Sequence, residues 1–325
     1  MGNTQNGRRN LDLVGAIAGA AALLSSTTGA HAQDREVRSF AMSGPWSLDA
    51  GDDYCRLAAN FTNGEDEVAF ALERNRAENF ARLVLVGDAI RTYRRAESLG
   101  YTFLPSGQER PARFTRSETA DGKAWFNLGL VAFAPAGPPS DPGTRERRDY
   151  QGGPTALRQP PYDRAAELEF AAGVNGVLLD EGLQTPIRIE TGTLRAPMEA
   201  LQACTDDLLL VWGLDYAKHR TMTRRATPAG PAFEWLATGT LGFADFPLFS
   251  GARNPFRVMV SAEGQPTSCT VHWPSLPESK NAGVCEQLMA NARFEPALDA
   301  DGQPMASYWT ADPFMLMPPM GGRGR

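Results

Sequence analysis

An α+β fold is predicted, with a β-rich N-terminal region, a β-plus-helix middle region and a small β-β-α-β unit at the C-terminal end. Three observations predict it. Short apolar or alternating runs, "EVAFALE", "FARLVLVG" and "KAWFNLGLVAFA", repeat with the period of two that suits a half-buried strand. One long stretch, "TGTLRAPMEALQACTDDLLLVWGLD", instead spaces its apolar residues at three- and four-residue steps, the period of a helix. Nearer the C-terminus, "FRVMVSA", "PTSCTVHW", "AGVCEQLMANA" and "PMASYWT" read in turn as strand, strand, helix and strand.

The chain has 325 residues, 42% of them hydrophobic and 22% charged, which is globular in composition and long enough for more than one core. Its formal charge of −6 provides no basic footprint for tracking phosphates, so nucleic acid is not an expected partner. Residues 1–32 read as a secretory signal peptide. Arg8 and Arg9 precede an apolar run from Leu13 to Leu24, and Ala30-His31-Ala32 supplies the small-x-small cleavage pattern. The run is short for a spanning helix, which needs about 20 residues. No later stretch reaches that length, so the mature chain is expected in the periplasm with no spanning segment.

Each element then has a local reason. In the β-rich region, 36–134, "EVAFALE" and "FARLVLVG" flank the polar break "RNRAEN" and predict a hairpin; Trp125, Leu128, Leu130 and Ala132, or their neighbours, fill one face of a further strand. Residues 135–161 combine proline, glycine and charge with few apolar anchors and read as a mobile linker, its Arg145, Arg147 and Arg148 solvated. The middle region, 162–245, opens with "ELEFAAGVNGVLL", a strand pair turning at Asn175-Gly176. The long helix follows, with Thr193 as its N-cap, Met198, Leu201, Cys204, Leu208 and Val211 as a buried stripe, and Gly213 as its end.

The last unit spans about residues 246 to 315, followed by a tail, 316–325. Phe246-Pro247 leads into Val258 to Ala262, Glu263-Gly264 turns the chain, and Arg293-Phe294-Glu295-Pro296-Ala297 precedes a tight turn at Asp301-Gly302. Pro296 is expected to stop the helix while Phe294 packs under the sheet. Taken in this order, these features resemble the C-terminal periplasmic domain of the TonB energy-transducer family. The resemblance implies a ββαβ domain that binds by β-strand addition, pairing its final strand with a peptide from an outer-membrane receptor or another envelope protein. Carried onto this chain, the binding edge is Gln303, Pro304, Met305, Ala306, Ser307, Tyr308 and Trp309. The family's membrane helix and its Lys/Glu-alternating spacer have no counterpart once the signal is removed, so what carries over is binding, without the parts of a transducer. The alternative is a stability module whose TonB-like domain packs against its own chain, through the preceding region or the tail "DPFMLMPP".

Four cysteines, Cys55, Cys204, Cys269 and Cys285, follow the signal, and an even number in an exported chain favours disulfides, with three connectivities open. Cys269 on the second strand and Cys285 on the helix of the TonB-like domain are expected to pair, which leaves Cys55 with Cys204. No metal is expected, since no CxxC pair occurs and only His219 and His272 survive cleavage. There is no GxSxG elbow, HExxH, P-loop or Gly-rich dinucleotide turn, and Asp206-Asp207 would point to different helix faces. The chain is therefore expected to be a binding protein with no cofactor and not an enzyme. An unrecognised activity in the N-terminal region is the third reading.

Overall fold

A computed structural model describes residues 35–78, 80–105, 107–135, 162–242, 245 and 254–318. The signal segment, most of the 135–161 linker, Phe246-Pro247 and the end of the tail lie outside the described residues.

Nine strands come first: β1 Arg38–Met42, β2 Ser47–Ala50, β3 Cys55–Thr62, β4 Glu67–Arg74, β5 Phe80–Val86, β6 Ser98–Leu104, β7 Arg110–Arg113, β8 Thr115–Glu118 and β9 Ala124–Ala132. Helix α1 Arg164–Gly173, strands β10 Gly176–Leu179 and β11 Ile187–Glu190, and helices α2 Arg195–Val211 and α3 Tyr216–Thr221 follow. The two regions that sequence separates share one sheet, ordered β7-β6-β10-β11-β1-β3-β4-β5-β9-β8, with β2 added beside β3. Strand β11 runs parallel to β1, and β10 is antiparallel to β6. The strip curls until β7 nears β9, where Arg110 Nη1 donates to the Ala132 carbonyl at 2.9 Å.

The hairpin of β4 and β5 forms as alternation dictates: Phe70 pairs with Leu85 and Leu72 with Leu83, all four buried. In β9 the alternation changes phase. Ala124, Phe126 and Leu128 are buried, then Val131 and Phe133, because Gly129 at φ 71° carries a bulge opposite β5. Trp125, Leu130 and Ala132 are only half-buried, so the inward face belongs to their neighbours.

Four expectations in the middle region are corrected. "ELEFAAG" belongs to α1, not to a strand. Asp163 caps it by accepting from Ala166 N–H at 2.9 Å, and Glu167 is drawn inward by Arg74. Gly176 begins β10 and has no positive φ; a Cβ there would meet the Ile189 carbonyl oxygen at 2.9 Å, so a close strand approach requires glycine. In α2 the stripe Met198, Leu201, Cys204 and Leu208 is buried as expected, whereas Val211 is 59% exposed. A three-residue step from Leu208 rotates short of the stripe, and Leu209 is buried instead. The side chain of Thr193 accepts weakly from Arg195 N–H, one residue before the observed cap at Leu194, and Gly213 at φ 74° follows the helix end.

The C-terminal part comprises β12 Thr227–Pro228, β13 Phe256–Val260, β14 Pro266–Val271, helix α4 Glu278–Asn291, β15 Phe294–Glu295, β16 Ala297–Leu298, β17 Pro304–Met305 and β18 Ser307–Ala311. Strands β14, β13 and β18 form an antiparallel sheet in that order. A second core of Phe256, Val258, Val260, Val284, Leu288, Phe294 and Trp309 joins one face of this sheet to α4. Trp235, from the 3-10 turn Ala232–Trp235, packs its ring 5.6 Å from Trp309 and 5.2 Å from Phe294.

Helix α4 ends at Asn291, before Pro296, so proline is not its stop. Ala292 N–H donates to the Leu288 carbonyl, and Arg293 folds back to donate to the carbonyls of Ala290 and Ala292. The Glu263-Gly264 turn abuts the next corner: Gly264 lies at φ 76°, and its carbonyl accepts from Phe294 N–H at 3.0 Å.

Candidate peptide-binding edge

The edge expected from sequence divides in two. Pro304 and Met305 pair with Leu298 and Ala297, and Gln303 N–H donates to Asp299 Oδ1 at 2.9 Å, closing that hairpin around Asp301-Gly302. Gln303, Pro304 and Met305 therefore belong to a separate two-stranded ladder. Ala306 is exposed and separates the ladders. Ser307, Tyr308 and Trp309 lie in β18, which continues through Thr310 and Ala311; the alternation of "SYWTA" is the signal for those two further residues.

Strand β18 is a sheet edge. Its pairs with β13 run from Val260 with Ser307 to Phe256 with Ala311, and no described strand pairs with its other side. Trp309 and Ala311 enter the core shared with α4. Tyr308 and Thr310 face the other way, where residues just after β4 and just after α2 supply their neighbours. The Tyr308 ring lies 5.2 Å from Trp212, and Arg76 donates to Thr310 Oγ1. Burial raises the Tyr308 hydroxyl above its usual range, so it remains un-ionised. On the same face, the Arg257 guanidinium lies 3.8 Å over the Trp212 ring and donates to Asp53 Oδ1 at 2.6 Å. Both faces of the small sheet are therefore occupied.

Two disulfides brace the structure. Cys55 on β3 is bonded to Cys204 on α2, and Cys269 on β14 to Cys285 on α4. Such bonds form and persist in oxidising compartments. No described helix is long and apolar enough to cross a membrane. Among the described residues no group of His, Cys, Asp and Glu is arranged to hold a metal ion. A half-open cavity of about 340 Å³ lies beside β6, β7 and α1, with Phe103, Leu104 and Phe170 in its lining and the Arg110 guanidinium near the two aromatic rings; Arg110 and Glu169 are the ionisable groups in its lining.

No protein-family model, curated protein or solved structure matches the chain.

Proposed function

We propose that the chain is an exported periplasmic protein whose C-terminal domain is TonB-like and binds an extended peptide by strand addition along Ser307–Ala311. The observation that carries the reading is the position of β18, the last strand of a β-β-α-β unit, at the edge of its sheet beside β13. An edge strand presents a row of main-chain donors and acceptors, and a guest strand completes them without any particular side chain. An outer-membrane receptor or another envelope protein would supply the guest. The two disulfides support export.

A second reading, a stability module that recruits nothing, is favoured by one feature: the Tyr308 and Thr310 face of the sheet is packed against the chain's own Trp212 and Arg76. The two readings separate on the edge, not on the face. Proline at Ser307 and proline at Thr310 remove donors that point to opposite sides of β18. Affinity for an N-terminal peptide of an outer-membrane receptor is measured by calorimetry, with circular dichroism as the folding control. The variant that stays folded is expected to lose about 2- to 13-fold in affinity, the worth of one hydrogen bond. Unchanged affinity in a folded variant refutes strand addition at this edge.

A further inference from the structure

The seam between the large sheet and the C-terminal sheet is lined by charged and polar groups from both sides. Asp53 and Tyr54 ahead of β3, Arg56 on β3, Glu73 on β4 and Arg82 on β5 line one side; Arg257 on β13 and His272 and Trp273 after β14 line the other. Glu73 Oε1 lies 3.8 Å from His272 Nε2, while Arg56 Nε donates to Glu73 Oε2 at 2.9 Å. The Arg82 guanidinium lies 4.2 Å over the Trp273 ring.

This packing leaves polar atoms unmatched. Glu73 Oε1, Arg82 Nε, Arg257 Nε, His272 Nε2 and Trp273 Nε1 are all buried without a hydrogen-bond partner among the described residues. Buried polar atoms are nearly always satisfied, so these five need water or a changed arrangement of the seam to complete their bonds. Trp273 adds backbone strain, since its φ of 49° is a region that residues with a Cβ rarely adopt.

At the other end of β18 a second histidine touches both Ser307 and, on the seam face, Tyr308. His219 on α3 donates through Nδ1–H to the Asp215 carbonyl at 2.8 Å, so its Nε2 accepts from the Ser307 hydroxyl at 3.1 Å. Its ring is stacked against Tyr308, with Asp215 and Arg225 as the nearby charges. Both histidines among the described residues thus sit on the seam, one contributed from each side, and both are buried.

We propose that the seam is an acid-operated latch: proton uptake by His272 and His219 releases the C-terminal three-stranded sheet from the large sheet and bares the face that carries Tyr308 and Thr310. This goes beyond strand addition and does not depend on it. In the closed state an imidazolium at 272 would stand among Arg56, Arg82 and Arg257, with Asp53 and Glu73 as the opposing carboxylates. Burial and those guanidiniums press His272 from 6.5 down to about 3, and burial also presses His219 down. The open state therefore binds more protons, and opening gains as pH falls below 6.5. For His272 alone the opening constant rises about 25-fold between about pH 7 and pH 5. His219 adds to the rise. Glu73 opposes it, because burial raises its carboxyl above the usual range and it protonates more readily when closed.

The test is amide hydrogen exchange on the oxidised full chain at pH 7 and pH 5, corrected for intrinsic rates, comparing β13, β14 and β18 with β3, β4 and β5. In the wild type, protection of the C-terminal strands is expected to fall relative to the large sheet. In His272→Gln the fall should be about 25-fold smaller, with the Glu73 contribution common to both chains and cancelling. His219→Gln should reduce it as well, and carries the comparison if His272→Gln does not fold. Relative protection that does not change between the two pH values in the wild type, or that changes equally in the folded variants, overturns the latch.

Discussion

Replacing Glu167 by glutamine tests how the large sheet is tied to its helices. Arg74 at the end of β4 and Glu167 on α1 have side-chain exposures of 0% and 1%, and they form a direct ion pair. The carboxylate also accepts from Gln202 Nε2 on α2 at 2.8 Å and from the Tyr162 hydroxyl at 2.5 Å, while Arg74 Nε donates to the Phe80 carbonyl at 3.0 Å. Every oxygen of Glu167 thus faces donors. Glutamine preserves the shape but removes the charge and turns one oxygen into a further donor among donors, leaving the guanidinium buried and uncompensated. Breaking one partner of such a pair costs about 3–5 kcal/mol, a large part of the roughly 5–15 kcal/mol that stabilises a domain.

Removing both charges is a different perturbation. Arg74→Met with Glu167→Leu takes away two desolvated ions together and should cost much less than the sum of the single variants, since apolar pairs of similar volume often replace buried ion pairs at little loss. Gln202 retains its bond to the Arg164 carbonyl at 3.1 Å in the double variant. The assay is urea unfolding of the oxidised chain followed by tryptophan fluorescence. A Glu167→Gln variant within about 1 kcal/mol of wild type, or single and double variants that simply add, would refute the claim that the charge is held by its partner.

The disulfides should differ in worth because their loops do. Serine at Cys55 and Cys204 opens a closure spanning 149 residues and is expected to cost up to about 5 kcal/mol in the chain-entropy account, against about 3 kcal/mol for the closure of 16 at Cys269 and Cys285; equal losses in denaturant melts would contradict it. Gly264→Ala forces a left-handed residue to carry a Cβ only 2.1 Å from the Phe294 carbonyl oxygen, so it should lose about 2 kcal/mol or more, read as a lowered Tm; a neutral outcome would mean that the turn relaxes freely.

What could be read from sequence was local. The hairpin of β4 and β5, the stripe of α2 and the strand-strand-helix-strand order at the C-terminus are each written in neighbouring residues, where period and turn residues act directly. The pairing of Arg38 with Ile187 is not, because β-periodicity says that a strand has two faces and nothing of which strand lies beside it. The same blindness hid the ion pair. Arg74 ends a strand and Glu167 opens a stretch that alternates like one, and neither charge alone signals burial; only their meeting across 93 residues makes both of them core. The C-terminal half of α1 resembles a strand in sequence for another reason, since Asn175-Gly176 is a strong turn signal that here marks close packing.

The geometry of β18 also constrains what strand addition could achieve. It is five residues long, preceded by Pro304 and followed by Pro313, so a guest can extend only a short way along it. Alternate residues face outward, leaving two or three to exchange main-chain bonds with a guest, each bond worth about 0.5–1.5 kcal/mol net. Set against the cost of ordering a peptide, that sum supports only weak binding. A shortened edge of this kind is also how β proteins avoid pairing with one another. Tight association would therefore require side-chain pockets beside the strand. Trp309 and Ala311 are committed to the core and Tyr308 and Thr310 to the seam, so closed β18 offers a guest little beyond its main chain. Release of the seam changes that balance, because it frees Tyr308 and Thr310 to meet a partner's side chains while leaving the pairing of β18 with β13 intact.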